Sequence, residues 1–92
     1  MPTIKLPTPL RSYTGGQTLI PVQGKTVAEA MLDLARQYPT LKPHLYTEEG
    51  QLRSFVNLFL NDEDVRRLQG IDTLLQENDR LLLIPSIAGG RE

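Results

Sequence analysis

The chain has 92 residues, of which 39% are hydrophobic and 23% are charged, a composition typical of one small globular domain. Its formal net charge is −1, and it has no cluster of Lys and Arg, which argues against binding to a nucleic acid backbone.

Because cysteine is absent, disulfides, thiolate nucleophiles, iron–sulfur clusters and cysteine-based zinc sites are excluded. The only histidine, His44, cannot form a metal site alone. No segment has the pattern of a signal peptide or a membrane span, so we expect a cytoplasmic protein without membrane association.

The first part of the chain predicts a hairpin. Residues Thr3–Leu6 alternate between apolar and polar, as in a short strand, and Pro7 and Pro9 then impose a stiff loop. A second strand is predicted over Thr18–Val22, pairing back on the first. Pro21 suits an edge strand, because proline has no N–H to donate to a neighbouring strand.

A helix is predicted over Val27–Tyr38, and it is the only long helix that the pattern supports. Thr26 and Glu29 have the spacing of a capping box at its start, and Pro39 ends it. One apolar stripe with helical spacing follows the cap and comprises Val27, Ala30, Met31, Leu34, Ala35 and Tyr38. The opposite face is polar, so the stripe is expected to lie in the core.

The second half of the chain predicts strands joined by turns. Leu41–Leu52 is expected to be a connection, Phe55–Leu60 a third strand, and Val65–Arg66 a very short fourth strand. The run Asn61–Asp64 is expected to be a solvated turn and not a pair of catalytic carboxylates. Arg80–Pro85 is predicted as the last strand, and its unbroken apolar run is typical of a central one.

This order of elements predicts an α+β fold, the ubiquitin-like β-grasp, in which a mixed sheet of four to five strands carries one main helix. The last strand is expected to lie beside the first. We expect a β-grasp domain over residues 1–85 and a flexible C-terminal tail over 86–92. The predicted core comprises Val27, Met31, Leu34, Tyr38, Val56, Leu58, Leu81 and Leu83.

Alternation along two strands predicts an apolar patch on the open face of the sheet. If Leu58 and Leu81 face the helix, then Phe59, Leu82 and Ile84 face away from it. Exposed apolar patches of this kind often mark partner surfaces. The alternatives are that loop residues cover these side chains or that the two faces are exchanged.

The chain resembles the ThiS/MoaD family of ubiquitin-like sulfur-carrier proteins, and within it most closely the thiocarboxylate carrier of cysteine biosynthesis. The resemblance covers nearly the whole chain. The segments that carry it are Leu10-Arg11 with Thr14–Gln17, Phe55–Asn57 with Asn61–Arg66, and the ending Pro85–Gly90. The run Asn-Asp-Glu-Asp-Val-Arg and the pair Gly89-Gly90 are its most specific parts.

The resemblance implies that the carboxylate of Gly90 is the reacting group, which a ubiquitin-activating-type adenylating enzyme joins to AMP and a sulfur donor then converts to a thiocarboxylate. The small tail residues Ile87, Ala88 and Gly89 would thread the partner's channel. The carrier itself would be no enzyme and would hold no cofactor, with ATP used by the activating partner. A sulfur-accepting biosynthetic enzyme would be the second partner.

Arg91 and Glu92 depart from the family pattern, in which working carriers end at the second glycine. By the resemblance, they are a masking extension that a processing metallopeptidase removes.

Two further functions stay open from the sequence. A ubiquitin-like modifier would use the same activated Gly90 to form isopeptide bonds with lysines of other proteins. A regulatory or nucleic-acid-binding β-grasp domain would use its surface and not its tail. A ferredoxin-type β-grasp is excluded because cysteine is absent. The metabolite that receives the sulfur is also open.

Overall fold

The computed structural model describes residues 1–54 and 56–85, in which five strands form one mixed sheet with a helix across it. The order across the sheet is β2-β1-β5-β3-β4. The predicted tail, residues 86–92, lies outside the described residues, as does Phe55. The strands are β1 (Thr3–Lys5), β2 (Leu19–Pro21), β3 (Val56–Leu60), β4 (Glu63–Asp64) and β5 (Arg80–Pro85).

Strand β5 lies at the centre of the sheet and has the predicted bounds. It pairs in parallel with β1, where Ile4 lies opposite Leu81, and antiparallel with β3, where Leu58 lies opposite Leu83. Leu81 and Leu83 are buried beneath the helix. The last strand therefore lies beside the first, which confirms the predicted β-grasp.

Helix α1 spans Val27–Gln37, one residue shorter than predicted, because Tyr38 already has non-helical backbone angles. The Thr26 hydroxyl accepts a hydrogen bond from the Glu29 N–H at 3.2 Å, as the capping box requires. The Glu29 carboxylate reaches back to the Lys25 N–H at 2.8 Å, one residue before the usual partner. The helix N-terminus is thus capped by two side chains, Thr26 just before the helix and Glu29 in its first turn.

One hydrophobic core joins α1 to the inner face of the sheet. Six of the eight predicted core residues are buried, and Tyr38 and Val56 pack partly buried against them. Other buried side chains come from the N-terminal hairpin and from the segment after α1: Ile4, Leu6, Ile20, Val22, Leu41, Leu45 and Tyr46.

Two sequence predictions were wrong. The connection Leu41–Leu52 contains a 3₁₀ turn that begins at Pro39 and a short helix α2 (Lys42–Leu45), whose four residues are too few to show helical periodicity. The short fourth strand is Glu63–Asp64 and not Val65–Arg66, which lie in a 3₁₀ turn.

The second error has a physical cause in the turn. Asn61 and Asp62 both have positive φ, 49° and 77°, which closes a two-residue hairpin and places Glu63 directly opposite Leu60. The Asp64 carboxylate then accepts the Arg66 N–H at 2.9 Å and starts the 3₁₀ turn. The chain therefore leaves the sheet two residues earlier than hydrophobicity suggested.

A buried carboxylate ties α1 to the chain that follows β2. Asp33 accepts hydrogen bonds from the Arg36 guanidinium, from the Gln23 N–H at 3.0 Å and from Gln37 Nε2 at 2.9 Å. The hydrogen bond from Arg36, together with those from Gln23 and Gln37, lowers the pKa of Asp33 despite the opposing effect of burial. Gln37 Nε2 also donates to the Pro21 carbonyl at 2.9 Å, which binds the helix to the edge strand.

Truncating a core leucine of α1 should destabilise the domain strongly. Leu34 is 0% exposed and Leu32, two residues earlier on the same helix, is 58% exposed. We expect Leu34→Ala to lower the free energy of unfolding by about 2–5 kcal/mol and Leu32→Ala to change it by less than about 0.5 kcal/mol. Urea denaturation of both variants measures this difference, and similar losses in the two would contradict the packing described.

The Asp33 carboxylate should make stability depend on pH in acid. Because its folded pKa lies below the usual value of 3.8, its ionised form stabilises the fold above that value, and this contribution is lost as the pH falls through the folded pKa. We expect Asp33→Asn to lose about 1–3 kcal/mol at neutral pH and to approach the wild type in acid. Denaturation across the acid range tests this, with Asp72→Asn as an exposed control. A difference in the free energy of unfolding between Asp33→Asn and the wild type that grows as the pH falls would contradict it.

Candidate functional site

The three predicted docking residues lie on neighbouring strands, on the face of the sheet that α1 does not cover. Phe59 on β3 lies directly opposite Leu82 on β5, and Ile84 lies one step further along β5, opposite Asn57. Phe59 and Leu82 are half-buried and Ile84 is 40% exposed, whereas Leu81 and Leu83, which alternate with Leu82 and Ile84 along β5, are buried. The structure therefore brings the three side chains together as an apolar patch, and their role in binding stays a prediction.

Two residues on the N-terminal hairpin extend this face and were missed by the sequence analysis. Lys5 on β1 lies opposite Leu82, and Leu19 on β2 lies opposite Lys5. Leu19 is 42% exposed, so it enlarges the apolar surface toward the sheet edge. The alternation of Ile4 and Leu6 with Lys5 could have indicated that Lys5 faces outward. The hydrophobic pattern does not predict which residue of β5 lies beside Lys5, so its position next to Leu82 could not be read from the sequence.

At one end of the patch is a hollow lined mostly by polar residues. It is lined by two apolar residues of the patch and by five polar or charged residues: Phe59, Leu82, Lys5, Asn61, Asp62, Asn78 and Arg80. Lys5 and Arg80 therefore line the same concave surface, next to the apolar patch.

The most specific part of the family motif, Asn61–Arg66, holds this edge of the site in place. The Asn61 side chain donates to Asp79 Oδ1 at 3.0 Å and accepts the Arg80 N–H at 3.1 Å, which fastens the β3–β4 turn to the start of β5. Asp64 forms an ion pair with Arg66 at 2.7 Å, and the hydrogen bond from Arg66 lowers the pKa of Asp64. The predicted turn over Asn61–Asp64 is therefore only partly right, because Asn61 and Asp62 form the turn while Glu63 and Asp64 form strand β4.

The other end of β5 is where the chain leaves the sheet. Pro85 pairs with Val56, whose N–H donates to the Arg53 carbonyl at 3.0 Å. Arg53 Nε donates to the Pro43 carbonyl at 2.9 Å and so ties this exit point to α2. The predicted tail residues Ile87, Ala88, Gly89 and Gly90 and the extension Arg91 and Glu92 lie outside the described residues.

His44 and Tyr13 form the one ring contact found in the parts of the chain that are described, with centroids 4.5 Å apart. His44 is exposed. Across residues 1–54 and 56–85 there is no group of three or more His, Cys, Asp or Glu side chains that could hold a metal ion. No helix in those same ranges is long and apolar enough to cross a membrane.

The comparisons with known proteins agree with the fold. The ThiS family model matches residues 4–90. The sulfur carrier protein CysO of Mycobacterium tuberculosis is 37% identical over 90 residues, which cover 96% of this chain and 97% of the relative. A crystal structure of the BexX/CysO complex of Amycolatopsis orientalis matches with 37% identity and a TM-score of 0.84, covering 98% of this chain and 100% of that chain. The solution structure of small archaeal modifier protein 1 of Methanosarcina acetivorans matches with 29% identity and a TM-score of 0.84, covering 97% and 95%.

The order of the strands, the helix across one face of the sheet and the similarity to the solved structures together define a ubiquitin-like β-grasp protein. The chain belongs to the ThiS family, as the resemblance read from the sequence implied.

Removing the Asn61 side chain should destabilise the edge of the site. We expect Asn61→Ala to lower the free energy of unfolding by about 1–3 kcal/mol, because two hydrogen bonds to the start of β5 are lost and alanine tolerates positive φ poorly. Asp62→Gly is the matched control in the same turn. It should stay within about 0.5 kcal/mol of the wild type or exceed it, because glycine accepts the φ of 77° without steric cost. Equal losses in both, measured by thermal and urea denaturation, would contradict a special role of the Asn61 amide.

Proposed function

We propose that this protein is a sulfur carrier whose reacting group is the carboxylate of Gly90. The observation that carries the proposal is the position of β5, a central strand that forms the apolar patch and ends at Pro85, five residues before Gly90. The similarity to sulfur carrier proteins over nearly the full chain supports it. The protein would then be a substrate of partner enzymes and not an enzyme itself.

The chemistry requires an activated terminus, because a free carboxylate would have to expel oxide to react as an acyl donor. A carboxylate oxygen of Gly90 attacks the α-phosphorus of ATP on the activating partner, and pyrophosphate leaves. A hydrosulfide-equivalent donor then attacks the carbonyl carbon, a C–S bond replaces the C–O bond, and AMP leaves. The product is a thiocarboxylate, whose sulfur is a soft nucleophile. The carrier contributes no catalytic side chain to either step.

The residue types around Gly90 suit this transfer. Gly89 and Gly90 lack Cβ, so they fit a narrow channel and accept backbone angles that other residues avoid. Residues 86–90 span up to roughly 17 Å when extended. A rigid body docked at the apolar patch can therefore present Gly90 at a reaction centre well away from the docking surface.

The apolar patch is the proposed binding surface for a ubiquitin-activating-type adenylating enzyme. Ile84 is exposed and Phe59 and Leu82 are half-buried, and burial of such an apolar patch drives protein association. A sulfur-accepting biosynthetic enzyme is the second proposed partner. Cysteine biosynthesis is the proposed destination of the sulfur, because the chain is 37% identical to CysO sulfur carriers over nearly its full length and resembles the thiocarboxylate carrier of cysteine biosynthesis.

Arg91 and Glu92 are proposed to mask the carrier. They follow Gly90 in the sequence, so its carboxyl group is held in an amide bond until that bond is cut. Reaction at Glu92 would bring charged side chains into a channel suited to glycine, and burying an unpaired charge is costly. A zinc-dependent metallopeptidase that cuts after Gly90 is the proposed processing enzyme.

The masked and trimmed forms should behave differently in a reconstituted reaction. The full chain, a chain ending at Gly90 and a chain ending at Gly89 are each incubated with the adenylating enzyme, ATP and sulfide. We expect intact-mass spectrometry to show the exchange of one oxygen for one sulfur only in the chain that ends at Gly90. Conversion of the full chain with Arg91 and Glu92 still attached would contradict masking, and no conversion of any chain would contradict the proposed function.

Truncating the aromatic ring of the patch should weaken binding to the activating enzyme. We expect Phe59→Ala to raise the dissociation constant by an amount that corresponds to about 1–3 kcal/mol, as for an interface anchor, while the fold is retained. Leu32→Ala is the control, because Leu32 is a similarly apolar exposed residue on α1, on the opposite side of the sheet. Calorimetry compares the two variants, and unchanged binding of Phe59→Ala would remove Phe59 from the interface.

A second candidate function, conjugation through Gly90 to lysines of other proteins, is favoured by the similarity to small archaeal modifier protein 1. The two functions share activation and differ in the acceptor. Conjugates of higher mass that contain this chain, and that vanish when Gly90 is deleted, would support the modifier function.

A further inference from the structure

We infer that Lys5 and Arg80 together form a cationic site that binds carboxylate side chains of the activating enzyme, next to the apolar patch. The inference rests on the proposed function, because it assigns an orientation-setting contact within that complex. It concerns two residues outside the predicted docking set.

The sheet register brings the two cations together. On the parallel pair β1–β5, Lys5 lies opposite Leu82 and Thr3 lies opposite Arg80, so Lys5 and Arg80 are diagonal neighbours on the open face. Strand spacing and rise place their Cα atoms roughly 8 Å apart. Both residues are exposed, and both line the hollow that Phe59 and Leu82 also line.

Neither cation has an anionic partner within the residues that the structure describes. The ion pairs found there join the Met1 amino group to Glu77, Arg36 to Asp33 and Arg66 to Asp64. Two positive charges that are close together on one face of the sheet repel each other, although solvent screens the repulsion in part. A carboxylate placed between the two side chains would relieve this repulsion and gain two charge-assisted hydrogen bonds.

The acidic residues nearby do not serve this purpose. Asp79 uses both carboxylate oxygens, one for Asn61 Nδ2 at 3.0 Å and one for the Gln76 N–H at 2.7 Å. Asp64 is paired with Arg66. Asp62 lines the same hollow but forms no ion pair, and it lies exposed on the positive-φ turn. The Lys5–Arg80 site is thus open to a carboxylate from outside.

The position of the site indicates what it does. Arg80 begins β5 and Pro85 ends it, a separation of about 17 Å along the strand. The cationic site and the tail exit therefore lie at opposite ends of the apolar patch. An apolar contact alone is non-directional, whereas a second, charged contact at one end fixes the rotation of the body and so the direction in which the tail enters the partner.

A protein carboxylate fits this site better than a nucleic acid does. Phe59 and Leu82 line the same hollow and suit the apolar part of a protein interface, and desolvation there strengthens a charge pair. Nucleic acid backbones require a longer run of cations, whereas this site has two cations and the acidic Asp62 lines the same hollow.

Charge-reversal variants test the inference. Lys5→Glu, Arg80→Glu and the exposed control Lys25→Glu, on the helix side of the domain, are made in the chain ending at Gly90. Binding to the adenylating enzyme is measured at about 0.05 M and about 0.5 M salt. We expect Lys5→Glu and Arg80→Glu each to weaken binding about tenfold at low salt, mainly through a slower association rate, with a smaller deficit at high salt. Lys25→Glu should bind as the wild type does.

Three results would overturn the inference. Wild-type binding by the Lys5 and Arg80 variants at low salt would exclude the contact, and an equal deficit in Lys25→Glu would show that net charge alone matters. Saturable binding of a single-stranded oligonucleotide that Lys5→Glu abolishes would assign the site to nucleic acid. Neutral variants, Lys5→Gln and Arg80→Gln, should show a smaller deficit of the same kind, and they replace any charge-reversal variant whose melting shows loss of the fold.

The same samples distinguish this inference from the proposed function. If Gly90 of the wild type is adenylated and the Lys5 and Arg80 variants react equally well at low salt, the cationic site is wrong and the carrier function stands. If Gly90 of the wild type is not adenylated, the carrier function fails and the inference fails with it.

Discussion

Hydrogen bonding on both sides of β5 is the constraint on which the other features depend. The strand pairs with β1 in parallel and with β3 antiparallel, and its side chains alternate strictly between the two faces of the sheet. Leu81 and Leu83 enter the core under α1, while Leu82 and Ile84 point to the open face. A slip of one residue would bury the docking side chains and expose the core leucines, so the hydrophobic core itself holds the patch in register.

The same strand connects the two parts of the proposed mechanism. Its first residue, Arg80, belongs to the cationic site, its middle forms the apolar patch, and its last residue, Pro85, precedes the tail. In the proposed mechanism, a partner that binds the open face along β5 also holds Pro85, five residues before Gly90. The folded domain would then perform recognition, and the chemistry would be left to the terminal carboxylate and the partner's active site.

The sequence predicted those elements whose hydrophobic pattern is long or continuous. The apolar stripe of α1 and the apolar run of β5 identified both elements almost to the residue, because burial on one or two faces dictates such patterns. Helix α2 was missed since four residues between Pro39 and the following turn cannot display a helical period. The β3–β4 turn was misplaced because it depends on positive φ at Asn61 and Asp62, a property of backbone conformation that hydrophobicity does not encode.

Part of the candidate site could likewise be predicted from the sequence, and part could not. Phe59, Leu82 and Ile84 followed from alternation, which needs only the face parity of each strand. The neighbourhood of Lys5 and Arg80 required the register between β1 and β5, two strands that are distant in sequence and whose pairing only the folded sheet specifies. Asn61 was predicted only as part of a turn and of a family motif, whereas in the structure its side chain joins the β3–β4 turn to the start of β5.

The central claim is that Gly90 carries sulfur, and the most direct measurement is top-down mass spectrometry of this protein isolated from the cells that make it. We expect a population of chains that end at Gly90 and have one terminal oxygen replaced by sulfur. Chains found only with Arg91 and Glu92 attached, or Gly90 found only in isopeptide linkage to lysines of other proteins, would contradict it.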